Sequence, residues 1–110
     1  MSMSPIDKAP ICTAIGQRRL LQFGYHGKLR VVAPYCHGTS TRGKDVLRGV
    51  QVRGESSSGP VVGQRAGKGI GKLWALADMT GLRVLDETFE PDDPNYNPND
   101  SAMSEIHCRV

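Results

Sequence analysis

The stretch from Leu20 to Tyr35 constrains the fold more than any other part of the chain. Leu21, Phe23 and Tyr25 alternate with Gln22 and Gly24, the period-two pattern of a strand with one buried face. His26-Gly27-Lys28 follows, and Gly27 supplies the positive φ that a tight turn requires. Leu29, Val31, Ala33 and Tyr35 then alternate with Arg30 and Val32, which completes a β-hairpin. Pro34 has no backbone donor, so it is expected at a sheet edge or at the strand's end.

Around this hairpin the chain reads as one short helix and further short strands. Pro10 opens the helix, with Asp7 near its positive end, and Ile11, Ala14, Ile15 and Arg18 follow helical spacing for about two turns. Gly16 weakens it by up to about 1 kcal/mol relative to Ala. Residues 36–45 are polar and Gly-rich and read as a loop. Val46 to Arg53 reads as a third strand, and residues 54–71 as a long, flexible Gly/Ser-rich connection. Lys72 to Asp78 reads as a fourth strand and carries the one tryptophan, Trp74. Met79, Leu82, Leu85 and Phe89 are spaced to pack one face of an irregular or helical segment. Residues 90–104 form an acidic, Pro/Asn-rich segment whose first part, 90–100, is an extended loop. Ile106, Cys108 and Val110 alternate with Glu105, His107 and Arg109 as a fifth strand, expected to pair back and cover an edge.

The 110 residues suit a single domain spanning 1–110, with residues 1–9 as an N-terminal tail. Thirteen Gly and seven Pro interrupt it too often for long helices. The expected fold is therefore mainly β: five short strands and a short N-terminal helix, curled into a small closed or half-closed barrel. With 38% apolar and only 5% aromatic residues, its core is modest and aliphatic. No apolar run approaches the roughly 20 residues of a membrane span. Met1 to Ala9 has no apolar signal region, so a cytoplasmic location is expected. Cys12, Cys36 and Cys108 are odd in number and far apart, so three reduced, buried thiols are expected rather than a disulfide.

The net charge of +3 hides an asymmetry. Residues 1–53 carry nine Lys/Arg against Asp7 and Asp45, whereas residues 73–110 carry Arg83 and Arg109 against eight carboxylates. Either the basic front is an anion-binding surface, with the acidic back facing a partner, or the two halves neutralise one another in the fold. Arg48 sharpens the question. It shares a strand face with Val46, Val50 and Val52, where an unpaired guanidinium is costly. A carboxylate must pair with it, or the face must line a polar site that an anion can enter.

The order of elements resembles a known family. The helix ending in Arg18-Arg19 is followed by Leu21-x-Phe23-x-Tyr25, a turn, and Arg30-x-Val32-x-Pro34. A strand around Leu47 comes next, then Lys72-Leu73-Trp74-x-Leu76-x-Asp78 and an apolar run to Phe89. Over roughly residues 11–90 this resembles the WYL domain, an SH3/Sm-like barrel found in bacterial transcription regulators and defence systems. Asp45-Val46-Leu47 falls where the family carries Trp-Tyr-Leu, and only Leu47 matches. The resemblance implies a divergent, stand-alone WYL-like module with a five-stranded SH3/Sm-like barrel. It further implies a regulatory role through an anionic ligand, a nucleotide or nucleic acid. Arg30 falls on the family's Arg, and Tyr35, His37 and Gln51 can complete a patch beside it. Together with Arg48 these five form the expected ligand-binding set.

Other chemistries fare worse. Gly63-Gln64-Arg65-Ala66-Gly67-Lys68-Gly69 has three residues between its glycines and no Ser/Thr after the lysine, so it is not a Walker A loop. It reads instead as a solvated linker or a basic loop closing over a ligand. Cys36 and His37 are adjacent, so their side chains point to opposite faces of a strand. Cys12, Cys36, His37 and Cys108 have zinc-ligand chemistry without zinc-ligand spacing. Asp86-Glu87 and Asp92-Asp93 lie in segments that read as solvated. Basic residues interleave with Tyr25, Tyr35 and Trp74, a sparse stacking platform. The expectation is a binding module with no catalytic residue, metal or cofactor. The alternative is a protein-interaction module, acting on a partner or a second copy through an edge strand or the acidic C-terminal segment.

Overall fold

The hairpin is where the sheet begins. In a computed structural model, which describes residues 9–56, 59–62, 72–91 and 99–110, β1 (Arg19–Tyr25) and β2 (Lys28–Ser40) pair antiparallel with Tyr25 opposite Lys28. His26 and Gly27 alone make the turn, at φ of 51° and 76°, the doubly positive conformation that matches the twist of the flanking strands.

β2 runs 13 residues and organises everything else. Its first part pairs with β1 up to Val32 and its last part, from Cys36, pairs with β7 (Met103–Arg109) on the side that β1 leaves open. The expected loop at 36–45 is thus strand up to Ser40, because Cys36, His37 and Gly38 are buried between neighbouring strands. Pro34 lies inside β2 rather than at its end, in the interval where neither β1 nor β7 is in register. That interval supplies locally the edge that proline needs. A Cβ on Gly38 would collide with the Glu105 carbonyl, so only glycine lets β7 approach this closely.

β3 (Asp45–Ser56) pairs along the other side of β2. Its far edge is shared by β5 (Lys72–Ala75), against Val46 to Gly49, and β4 (Gly59–Val62), against Arg53 to Ser56. Part of the segment expected as a loop is therefore strand, and residues 63–71, with the glycine-rich run, lie outside the described residues. A single 3-10 turn (Leu76–Asp78) leads from β5 to β6 (Met79–Thr88), which pairs with β1. The chain so passes from the β3 edge of the sheet to the β1 edge within three residues.

β6 corrects the expectation of an irregular or helical segment. Gly81 at φ 58° and two register shifts against β1 break the simple alternation, which leaves Met79, Leu82 and Leu85 at a spacing that mimics a helix. The sheet holds seven strands among the described residues, not five, all antiparallel, and the protein is mainly β with one helix.

The helix α1 (Ala9–Gln17) buries Ile11, Ala14 and Ile15 against Leu21, Phe23, Val32, Leu47, Trp74, Leu76 and Met79. Full burial of each isoleucine stabilises the fold by about 1.5–3 kcal/mol. Arg18, at φ 56°, ends the helix, and its carbonyl accepts the Phe89 N–H. On the opposite face a second cluster joins Leu20, Val31, Ala33, Tyr35 and Val50 to the half-buried Leu85 and Phe89.

Cys12 of α1 and Cys108 of β7 form a disulfide across 96 residues, which overturns the expectation of three thiols. Spacing along the chain carried no sign of it, because the two cysteines meet only once β7 has docked on β2 beside the helix. Only Cys36 is free, and it is buried. Closing a loop of that length removes about 4–5 kcal/mol of unfolded-state entropy in the chain-entropy picture. Disulfides also belong to oxidising surroundings, so cysteine usage does not favour the cytoplasm. No helix among the described residues is long and apolar enough to cross a membrane.

Candidate functional site

Arg30 and Phe23 are cross-strand partners, so the Arg30 side chain enters the same face as the aromatic core. The residue is 3% exposed. Its guanidinium carbon lies 5.8 Å from the centre of the Tyr25 ring and 5.6 Å from that of Trp74. Nη2 donates to the Tyr25 carbonyl at 3.2 Å and Nη1 to Gln51 Oε1 at 3.3 Å. Nε is buried with no acceptor, and no carboxylate among the described residues pairs with the group. Two cation–π contacts, worth up to about 2 kcal/mol each when desolvated, offset much of a penalty that runs to several kcal/mol for a buried ion. They supply no acceptor for Nε.

The aromatic frame around Arg30 is itself held rigidly. Trp74 stands edge-on to Phe23 and Tyr25, with ring centres 5.5 and 4.9 Å apart, a geometry that suits aromatic quadrupoles. Its Nε1 donates to the Gly49 carbonyl at 3.1 Å. The Tyr25 hydroxyl accepts the Ala75 N–H at 3.1 Å, tying the end of β1 to the end of β5. His26 stacks on Tyr25 at 4.4 Å. Tyr25 and Gln51 are half-buried and His26 is exposed, so these three form the solvent side of the group.

Arg48, the most conspicuous cation in the sequence, is answered by a carboxylate. Its Nε and Nη2 donate to Asp100 Oδ2 and Oδ1 at 2.7 and 3.2 Å, with side chains 19% and 8% exposed. Burial alone would raise the Asp100 pKa. The Arg48 hydrogen bonds, the Ala102 N–H and the Arg48 charge outweigh it and hold the carboxyl below its ordinary range. Two more cations of the basic front meet carboxylates of the acidic back. Arg53 pairs with Glu87 at 2.7 Å and Arg19 with Asp86 at 3.1 Å. The charge asymmetry is thus partly neutralised inside the fold.

The five expected site residues do not form one patch. Arg30 and Gln51 meet. Arg48 lies opposite Cys36, six positions along β2 from Arg30, or roughly 20 Å at strand rise. Tyr35 is in the second cluster, its ring 5.4 Å from Phe89. His37 is buried, its Nδ1 2.8 Å from the Val46 carbonyl and its ring 5.2 Å from His107. Sequence reasoning did not place Tyr25 and Trp74 around Arg30. The available signals were that Tyr25 shares the parity of Phe23 and that Trp74 is the chain's one tryptophan.

Cys12 and Cys108 are bonded to each other and so are not free as nucleophiles or ligands. Burial first, and then Asp100, push the Cys36 thiol up to about 11, against the opposing charges of Arg109 and Arg48. That leaves it protonated at neutral pH and a poor nucleophile. Among the described residues no three His, Cys, Asp or Glu side chains gather as metal ligands would. Compared with protein-family models, with the curated proteins and with the solved structures, the chain matches none.

Proposed function

We propose that this chain is a WYL-like, SH3/Sm-like barrel module that binds an anionic ligand, a nucleotide or nucleic acid, at Arg30, and that it regulates through that binding without catalysing a reaction. The barrel reading draws support from strand order: β5 on the β3 edge, one 3-10 turn, then β6 on the β1 edge. The single observation that carries the ligand reading is Arg30. A guanidinium buried among aromatics, with no carboxylate partner among the described residues and an Nε–H without an acceptor, is an incomplete arrangement. A phosphate oxygen completes it by supplying both the charge and the acceptor.

The anion approaches from the side of Tyr25 and Gln51. It displaces the long Gln51 hydrogen bond, and Gln51 then turns its amide N–H groups to the ligand. Arg48 is no longer part of this site, because Asp100 already occupies its fork.

Calorimetric titration with adenosine mono- and triphosphate and with short oligothymidines, at about 50 and 200 mM salt, tests the reading. Saturable binding that weakens with salt, is lost in Arg30→Ala and survives in Arg48→Ala is expected. Binding that ignores Arg30→Ala removes the site.

A further inference from the structure

We propose that the Cys12–Cys108 disulfide is a redox latch, whose reduction releases β7 from β2 and uncovers Cys36 and Arg48 while the β1–β6 sheet stays folded. This goes beyond the anion-binding reading and does not depend on it. The bond joins α1 to β7, the first and last elements of the described chain, across 96 residues. Both of its cysteines are half-buried, whereas the third, Cys36, is fully buried. Partly exposed disulfides are the ones that solution thiols reach and reduce.

Like β4 and β5, β7 has a single strand partner; it pairs with β2 between Cys36 and Ser40, and that short ladder contains two register irregularities. The buried core of Leu21, Phe23, Val32, Leu47, Trp74, Leu76 and Met79 draws on β1, β2, β3, β5, the 3-10 turn and β6, and β7 adds to it the half-buried Cys108, one end of the disulfide itself. What β7 and its approach do cover is specific. Met103 Sδ lies 3.6 Å from Cys36 Sγ, and Ile106 packs in the same cluster. The turn entering the strand, where the Asp100 carbonyl accepts the Met103 N–H, presents Asp100 to Arg48. Withdrawal of β7 therefore opens the thiol and strips Arg48 of its carboxylate together.

The reductant is a dithiol. One of its thiolates attacks a sulfur of the bond, forming a mixed disulfide with one cysteine and expelling the other as a thiolate that takes up a proton. Its second thiolate then displaces the first cysteine. Two electrons and two protons arrive on Cys12 and Cys108, and the reductant leaves as its own disulfide.

The test treats the full chain with dithiothreitol, without denaturant, followed by pulse alkylation with iodoacetamide and amide hydrogen exchange. The oxidised protein is expected to label only slowly, and at Cys36 alone. The reduced protein is expected to label at Cys12 and Cys108, and at Cys36 on the order of 10-fold faster than in the oxidised form, through local opening. Amide protection is expected to fall in β7 and persist in β1, β2 and β3. The Cys12→Ser, Cys108→Ser double variant reproduces this state without reductant. A bond that native protein keeps against dithiothreitol, or a Cys36 that stays shielded after Cys12 and Cys108 label, makes the disulfide a staple and overturns the latch. So does protection lost from β1, β2 and β3 together with β7.

Discussion

Arg48 and Asp100, 52 residues apart in sequence, hold one another through two hydrogen bonds of 2.7 and 3.2 Å in a largely buried site. This pair fixes the turn that delivers β7 to the sheet, because Asp100 also accepts the Ala102 N–H at 3.0 Å. Removing one partner of such a pair leaves the other charge uncompensated. Asp100→Ala is therefore expected to destabilise the protein by about 3 kcal/mol in urea unfolding. The double variant Arg48→Met, Asp100→Ala is expected to lose less than Asp100→Ala alone, since it strands no charge. Equal losses would mean that the ion pair contributes nothing beyond the turn.

The same carboxyl sets an acid limit. Its folded-state pKa lies below its ordinary value of 3.8, so the folded protein binds this proton less readily than the unfolded chain does. The contribution is complete above that value and is lost as pH falls through the lower folded-state pKa. Unfolding midpoints followed from pH 6 downward, roughly to pH 2, are expected to drop in this window. Asp100→Asn is expected to flatten that part of the curve, and a variant curve parallel to the native one would show that other carboxyls govern the acid limit.

How much was legible in advance differs from place to place, for physical reasons. The β1–β2 hairpin was readable because alternation and a His-Gly turn are local signals, and the three inward residues of α1 were readable from their spacing. β6 was not, because Gly81 and two register shifts against β1 put its side chains out of step. The last strand was foreseen to return to the sheet, but not the disulfide or the Asp100 partner that its return creates. Arg30 drew notice through the family resemblance. Its burial between Tyr25 and Trp74 depends on β5, paired with β3, bringing Trp74 and Ala75 against Tyr25, which no local pattern announces.

A buried arginine with an Nε–H that lacks an acceptor is costly to the fold. Arg30→Met fills similar volume, removes the unsatisfied N–H and leaves no charge to desolvate. Its stability is expected to equal or exceed that of the native protein by up to about 2 kcal/mol, as replacement of buried ions by apolar side chains often does. Anion binding is expected to vanish in the same variant. A loss of more than about 2 kcal/mol would instead make Arg30 a structural cation.

Gly38 is where β7 comes closest to β2. A methyl group there meets the Glu105 backbone rather than a movable side chain. Gly38→Ala is expected to cost roughly 1–3 kcal/mol, the usual penalty for overpacking, and to lower amide protection in β7 first. Unchanged stability would show that β7 can shift to make room.

Completion of Arg30 by an anion has its readout in a neighbouring ring. Trp74 is the one tryptophan in the chain, and the Arg30 guanidinium lies 5.6 Å from its ring, so its emission reports what happens to that charge. Titration with adenosine triphosphate is predicted to shift Trp74 emission saturably in the native protein and to leave it unchanged in Arg30→Met. A native protein whose emission never moves, or a variant that responds as the native protein does, would mean that no anion reaches Arg30.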